Sequence, residues 1–333
     1  MENKFFKVED REKWQALLDK VLFKTFFHFL EWEDFLESQF KWLKFERYLW
    51  KDQVILSLAR VKIRGKEKLI SHPFCEYGGP LPLIEKIDGR QFQKDLFEEF
   101  KTPLKISFHP QLLPYFESME FTENQRESFF FEELGKKTTA ELQQNLDRNR
   151  HRSIKLALSQ NFQTEQCRSL KDLKDLYVLY IKSLRKHKAL VYPFSFFEFF
   201  LENPQAKISL LKTKKGDLIG GNIFIMYDKI SHSFLCGFNE KYKDLGAHSL
   251  VLWQEVERSK ESGCEKFDFG ATKKDSSIRD FKNRWGAVSY PIFELRNYSG
   301  ESKLKDSFLR DVWSYLPTGL IKVLSPHFIK YKL

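Results

Sequence analysis

Residues 208–270 constrain the chain more than any other stretch. Three apolar runs rich in β-branched and aromatic residues follow one another: ISLLKT (208–213), LIGGNIFIMYD (218–228) and ISHSFLCGF (230–238). Lys-Lys-Gly-Asp at 214–217 and the pair Asp228-Lys229 separate them, so three successive antiparallel strands are predicted. The polar segment NEKYKDLG (239–246) leads into AHSLVLWQEVERSKES, a helical pattern closed by Gly263, the residue type that ends a helix in the left-handed conformation. CEKFDFG (264–270) then reads as one more strand, stopping at Gly270.

The rest of the chain is mixed in the same way. KVEDREKWQALLDKVL has helical spacing, and DQVILSLARVKI reads as a strand turned by RGKEK into a second strand, LISHPF. DGRQFQKDLFEEFK is helical in pattern and LKISF strand-like. Apolar residues at 170, 173, 176, 177, 180, 181 and 184 form one face of a long helix. The segment Gly135-Lys136-Lys137 marks the expected domain boundary, with Thr138 or Thr139 capping the next helix. The 333 residues suffice for two domains.

Charge and cysteine usage narrow the partners. A net charge of +10 favours polyanions such as tRNA, CoA phosphates, nucleotide-linked substrates or an anionic membrane face. The four cysteines form no C-x-x-C pair, and no His/Cys cluster has metal-ligand spacing, so no metal is expected. A reduced, cytoplasmic setting fits, with at most peripheral contact at the inner membrane face through the aromatic, basic C-terminus.

Several stretches, in order, resemble one family. They are Phe27-His28-Phe29-Leu30-Glu31-Trp32; Pro73-Phe74-Cys75-Glu76-Tyr77-Gly78-Gly79-Pro80-Leu81; the basic run Arg148–Ala157; Arg185-Lys186-His187 with Tyr192-Pro193; and FDFG followed by Phe281-Lys282-x-x-Trp285-Gly286. The chain resembles the FemABX and FemAB-like aminoacyl (peptidyl) transferases of the GNAT superfamily, whose domains share the strand–strand–strand–loop–helix–strand order. The resemblance implies an α/β (α+β) fold of two tandem GNAT-like domains, with mixed, mostly antiparallel sheets flanked by helices. Domain one would cover 1–137 and be completed by 300–333, and domain two would cover 138–299. The acceptor loop reads Tyr77-Gly78-Gly79-Pro80, where peptidoglycan-building members carry Arg-Gly-Pro followed closely by an acid.

The implied chemistry is transfer of an aminoacyl or acyl group to an amine of an anionic cell-envelope or polysaccharide precursor, in a ternary complex. The chain would hold no cofactor, with aminoacyl-tRNA or acyl-CoA as co-substrate. Acyl transfer needs a placed donor, a deprotonated amine and stabilisation of the oxyanion. Lys282 is the candidate for the last, and Asp268 for a base or orienting group. Lys243, Gly246, Ala247 and His248 stand where acetyl-CoA users have a Q/R-x-x-G-x-G/A loop; Phe281 and Trp285 would wall the donor cleft. Acceptor contacts are assigned to Tyr77, Gly78, Gly79, Arg148, Arg152, Arg185 and Tyr192. On composition alone Lys282 reads as surface charge, and Phe281 and Trp285 as core. Two alternatives stand beside this reading: an acyl-CoA-dependent N-acyltransferase, and a non-catalytic GNAT-like module that binds RNA or an anionic glycolipid.

Overall fold

The chain opens with a short strand, β1 (Phe5–Lys7), and helix α1 (Arg11–Leu18), whose N-cap Asp10 accepts from the amides of Glu12 and Lys13. The computed structural model describes residues 4–298, 313 and 315–333. These fall into two compact units, Met1–Glu127 with Tyr290–Ser302, and Ser128–Ser289 with Lys303–Leu333.

In the first unit α2 (Leu30–Gln39) precedes β2 (Leu43–Trp50) and β3 (Val54–Ile63), which pair antiparallel throughout. Arg64 and Gly65 take left-handed angles (φ 50° and 78°) and return the chain as β4 (Lys66–Ile70). The short β5 (Leu81–Pro82) and β6 (Ile87–Asp88) lead to α3 (Gly89–Glu99), then β7 (Leu104–Ser107), β8 (Phe116–Glu117) and β9 (Thr122–Phe131), which passes into the second unit from Ser128. β7 lies parallel to β4.

The second unit holds α4 (Thr139–Gln144), with Thr138 and Glu141 in a reciprocal capping box, and α5 (Arg148–Ser159). Next come β10 (Gln163–Gln166), α6 (Leu170–Lys186) and α7 (Phe194–Glu202). The three predicted strands are β11 (Ala206–Lys212), β12 (Leu218–Tyr227) and β13 (Ile230–Phe238), antiparallel neighbours joined at Asp228-Lys229 by two left-handed residues. α8 (Ala247–Glu261), β14 (Lys266–Lys273) and α9 (Ser277–Asn283) follow, and this unit's strands run in the order β9, β14, β13, β12, β11, β10. The face of α6 read from the sequence is buried through Leu173, Leu176, Tyr177, Tyr180 and Ile181. Its backbone lies so close to β13 that a Cβ on Gly237 would stand 2.4 Å from the Tyr180 amide nitrogen.

β15 (Val288–Arg296) pairs antiparallel with β7 through Glu294–Arg296, and Tyr290–Ser302 belong with the first unit. The division after Glu127 precedes the expected boundary at 137, because the strand before that glycine-lysine segment already enters the second core through Phe129 and Phe131. The C-terminal stretch also differs from expectation. Helix α10 (Thr318–Phe328) lies in the second unit, with Lys322 Nζ 5.9 Å from the Tyr177 ring of α6. The remainder of the expected 300–333 segment, 300–312 and residue 314, lies outside the described residues. No helix among the described residues is long and apolar enough to cross a membrane.

Candidate active site

β13 and β14 run parallel for three residue pairs, Ile230–Lys266, Ser231–Phe267 and His232–Asp268. Beyond the last pair both strands continue, β13 to Phe238 and β14 to Lys273, without pairing to each other. The sheet opens at that point. The residues at the opening are polar and buried: His232 and Asp268 are both 0% exposed, with His232 Nδ1 2.6 Å from Asp268 Oδ2. The second carboxylate oxygen accepts from the Gly270 amide at 2.7 Å. A carboxylate at Nδ1 holds the ring proton there and leaves Nε2 as the basic nitrogen.

Gly270 turns the end of β14 with φ 76°, and the turn brings its carbonyl toward α9. Lys282 donates from Nζ to the Gly270 carbonyl at 2.7 Å and to that of Ala271 at 3.4 Å. It is 8% exposed, so its charge is buried and not on the surface. It also faces Cys236 of β13, whose thiol burial pushes up to about 11 while Lys282 pulls it down. Trp285 is fully buried against Phe269 (5.3 Å) and Phe131 (6.4 Å) and so belongs to the core, as composition suggested. Phe281 is partly buried and stacks in parallel on His248 at 5.1 Å.

The loop before α8 ends at Gly246, which takes φ 72° and serves as the helix N-cap without any side-chain cap. A Cβ there would stand 2.1 Å from the Ser153 carbonyl oxygen, so glycine is what lets α5 pack onto the loop. Ala247 is buried and Lys243 exposed. From α5, Arg150 reaches the first turn of α8: its Nη1 donates to Ser249 Oγ, and its guanidinium lies 4.1 Å over the Phe281 ring. Arg150 is 7% exposed and its Nε has no hydrogen-bond partner among the described residues. Burial, then Arg284, push its pKa down to about 10. Burial, then Arg150 and Lys282, push His248 down to about 3, so its ring is neutral at pH 7. A helix start with no side-chain cap, facing a buried guanidinium with no carboxylate partner among the described residues, is a local environment suited to an anionic group.

The residues assigned to the acceptor lie on several elements. Tyr77 is 0% exposed with its ring 4.6 Å from His109, and the Gly78 amide is spent on the Ser107 carbonyl. Arg148 and Arg152 are exposed on α5, and Arg185 is half-buried near the end of α6. Tyr192 anchors the loop after α6: its carbonyl accepts from Tyr177, and its ring stacks on Phe196 at 4.8 Å. One residue that the structure brings into the site, His232, has no signal in the sequence to set it apart. His232 was one of eight dispersed histidines. Arg150 belongs to the basic run Arg148–Ala157 read from the sequence, and its spacing to Ile154 and Ala157 places it on the buried stripe of α5.

The comparisons fall on these same elements. Residues 142–283 match the model of an acetyltransferase (GNAT) domain. FemX superposes with TM-score 0.64 at 13% identity, covering 87% of this chain and 96% of its own. L-PGS from Bacillus licheniformis gives 0.57 at 13%, covering 94% and 97%. The C-terminal domain of a protein described as a lysylphosphatidylglycerol synthetase, from Agrobacterium fabrum, gives 0.50 at 12%, covering 77% and 84%. No curated protein matches the chain by sequence.

Proposed function

We propose that this chain, a FemAB-like member of the GNAT superfamily with a GNAT domain over residues 142–283, transfers an acyl or aminoacyl group to an amine of an anionic cell-envelope or polysaccharide precursor. The observation that carries the proposal is the opening of the sheet at His232 and Asp268, inside that domain and with Lys282 tied to the same strand end. A donor carbonyl and an amine are to meet at this opening in one ternary complex. The amine nitrogen forms the new bond to the carbonyl carbon, and the bond to the donor's ester or thioester oxygen or sulfur breaks. The proton shed by the amine passes to His232 and on to the leaving group, while Asp268 holds the ring and stabilises its cationic form. Lys282 supplies positive charge close to the developing oxyanion. The phosphates common to aminoacyl-tRNA and acyl-CoA suit Arg150 and the uncapped start of α8. The fold shared with a lysylphosphatidylglycerol synthetase supports aminoacyl transfer in an envelope setting.

The test is a thermal-shift panel at fixed salt, followed by a transfer assay with the donor that responds. Charged tRNA that stabilises the protein more than uncharged tRNA supports aminoacyl transfer. Stabilisation by an acyl-CoA supports N-acyl transfer instead. A response to every polyanion alike, erased by salt, overturns the enzyme reading in favour of a binding module.

A further inference from the structure

Three cations crowd one face of the first unit's sheet. Lys105 and Arg296 are direct partners across β7 and β15, so their side chains leave the sheet on the same face. Like charges placed opposite each other destabilise a strand pair. Lys68 joins them, because it stands two residues before Ile70, the β4 partner of Lys105. Nothing in strand formation asks for this arrangement.

Glu294 does not resolve it. This carboxylate is 2% exposed and already served: Arg296 donates from Nε at 2.7 Å and from Nη2, Asn124 from Nδ2 at 2.5 Å, and Ser107 from Oγ at 3.2 Å. Lys105 Nζ stays 4.0 Å away from it, beyond hydrogen-bond reach. Lys68 Nζ stands 5.7 Å from the centre of the Tyr298 ring. Neither ammonium donates a hydrogen bond to any described residue. Both are half-buried. Burial, then Lys105 and Arg296, push Lys68 down to about 8; burial also lowers Lys105, with Glu294 opposing. Two half-buried ammonium groups without acceptors among the described residues, beside a guanidinium, leave six N–H donors unmatched there.

We infer that Lys68, Lys105 and Arg296 form a binding site for a phosphate or diphosphate group. Its oxygens accept from both lysines and remove the repulsion between the strands. A single neutralised pair, Arg296 with Glu294, leaves two positive charges, which matches a dianion better than a lone carboxylate. The inference deepens the acceptor reading above and rests on it for the identity of the carrier; the binding itself is read without turnover, so it can fail or hold independently of transfer.

The test uses the full chain and variants Lys68→Met, Lys105→Met and the double variant, with inorganic pyrophosphate at fixed ionic strength. Without anion, each single variant is expected to melt above the unsubstituted chain, since a like-charge contact is gone. Pyrophosphate is expected to raise the melting temperature of the unsubstituted chain, with affinity falling about tenfold per lysine removed and lost in the double variant. Lys105→Arg, which keeps the charge, is expected to retain the response and serves if a methionine variant does not fold. Competition by UDP supports a soluble nucleotide-linked carrier. Sedimentation with phosphatidylglycerol vesicles, absent with phosphatidylcholine and lost in the double variant, supports a lipid headgroup. No response in the unsubstituted chain, or an equal response in the double variant, overturns the site.

Discussion

Asp268 and His232 are the last register pair before β13 and β14 part, and their side chains meet at 2.6 Å with no exposure to solvent. Pairing a carboxylate with an imidazole at the point where the sheet opens fixes the ring's orientation and its tautomer together. Asp268→Asn can keep its one oxygen for the Gly270 amide only by turning its NH2, a donor, toward Nδ1 in place of the carboxylate oxygen. Transfer is expected to fall about 10²–10⁴-fold while circular dichroism stays unchanged. A variant within a few-fold of the parent at every pH would remove the dyad from the mechanism.

Lys282 is tied to two backbone carbonyls, so its loss acts on stability as well as on rate. Lys282→Met leaves those carbonyls short of a donor, and about 1–3 kcal/mol of stability is expected to go. The transfer rate per folded molecule is expected to fall about 10²–10³-fold, the usual worth of an oxyanion donor. Denaturant unfolding and single-turnover assays read the two effects separately. A stability loss with the rate preserved would leave Lys282 as a tie between α9 and β14 alone.

Trp285 packs on Phe269 and Phe131 inside the core of the second unit. Trp285→Ala is expected to cost about 3–5 kcal/mol in urea unfolding. Were it a wall of the donor cleft with little packing role, donor affinity would drop and stability would hold.

Gly246 carries both a left-handed φ and a Cβ direction aimed at the Ser153 carbonyl. Gly246→Ala must strain the turn or push α5 away from α8. The expected result is a loss of about 1–3 kcal/mol, seen as a lower melting temperature, with weaker donor binding because Arg150 moves with α5.

His248 is held neutral in the fold, with a pKa of about 3 against 6.5 for an ordinary histidine. Below pH 6.5 the unfolded chain takes up a proton there that the folded chain does not. Its contribution is therefore present above pH 6.5 and is lost as pH falls toward 3, by up to about 1.4 kcal/mol per pH unit. His248→Phe keeps the ring stack on Phe281. The difference between the two unfolding curves over pH 4–8 isolates this residue from other groups, and a flat difference would contradict its burial in the neutral form.

Local pattern was a good guide to elements and a poor one to neighbours. The helix at 247–261 was legible from its apolar spacing and its bounding glycines, and the hairpin at Asp228-Lys229 from the polar interruption between apolar runs. Phe281, Lys282 and Trp285 were legible as a group, but one short helix and its end send Trp285 into the core and tie Lys282 to Gly270. Arg150 was legible as part of a basic run, and its spacing to Ile154 and Ala157 carries the further signal that it is buried while Arg148 and Arg152 are not.

By itself the sequence determined the order of strands and helices, the left-handed turns and the class of fold, because those follow from side-chain period and from backbone angles that few residues accept. Which histidine meets which carboxylate was decided elsewhere. His232 and Asp268 are 36 residues apart, and their contact exists because a parallel register, set by α8 crossing between two strands, brings them side by side. The crowding of Lys68, Lys105 and Arg296 has the same origin. Three strands far apart in the chain must lie adjacent before their charges share a face, and no local pattern records that adjacency.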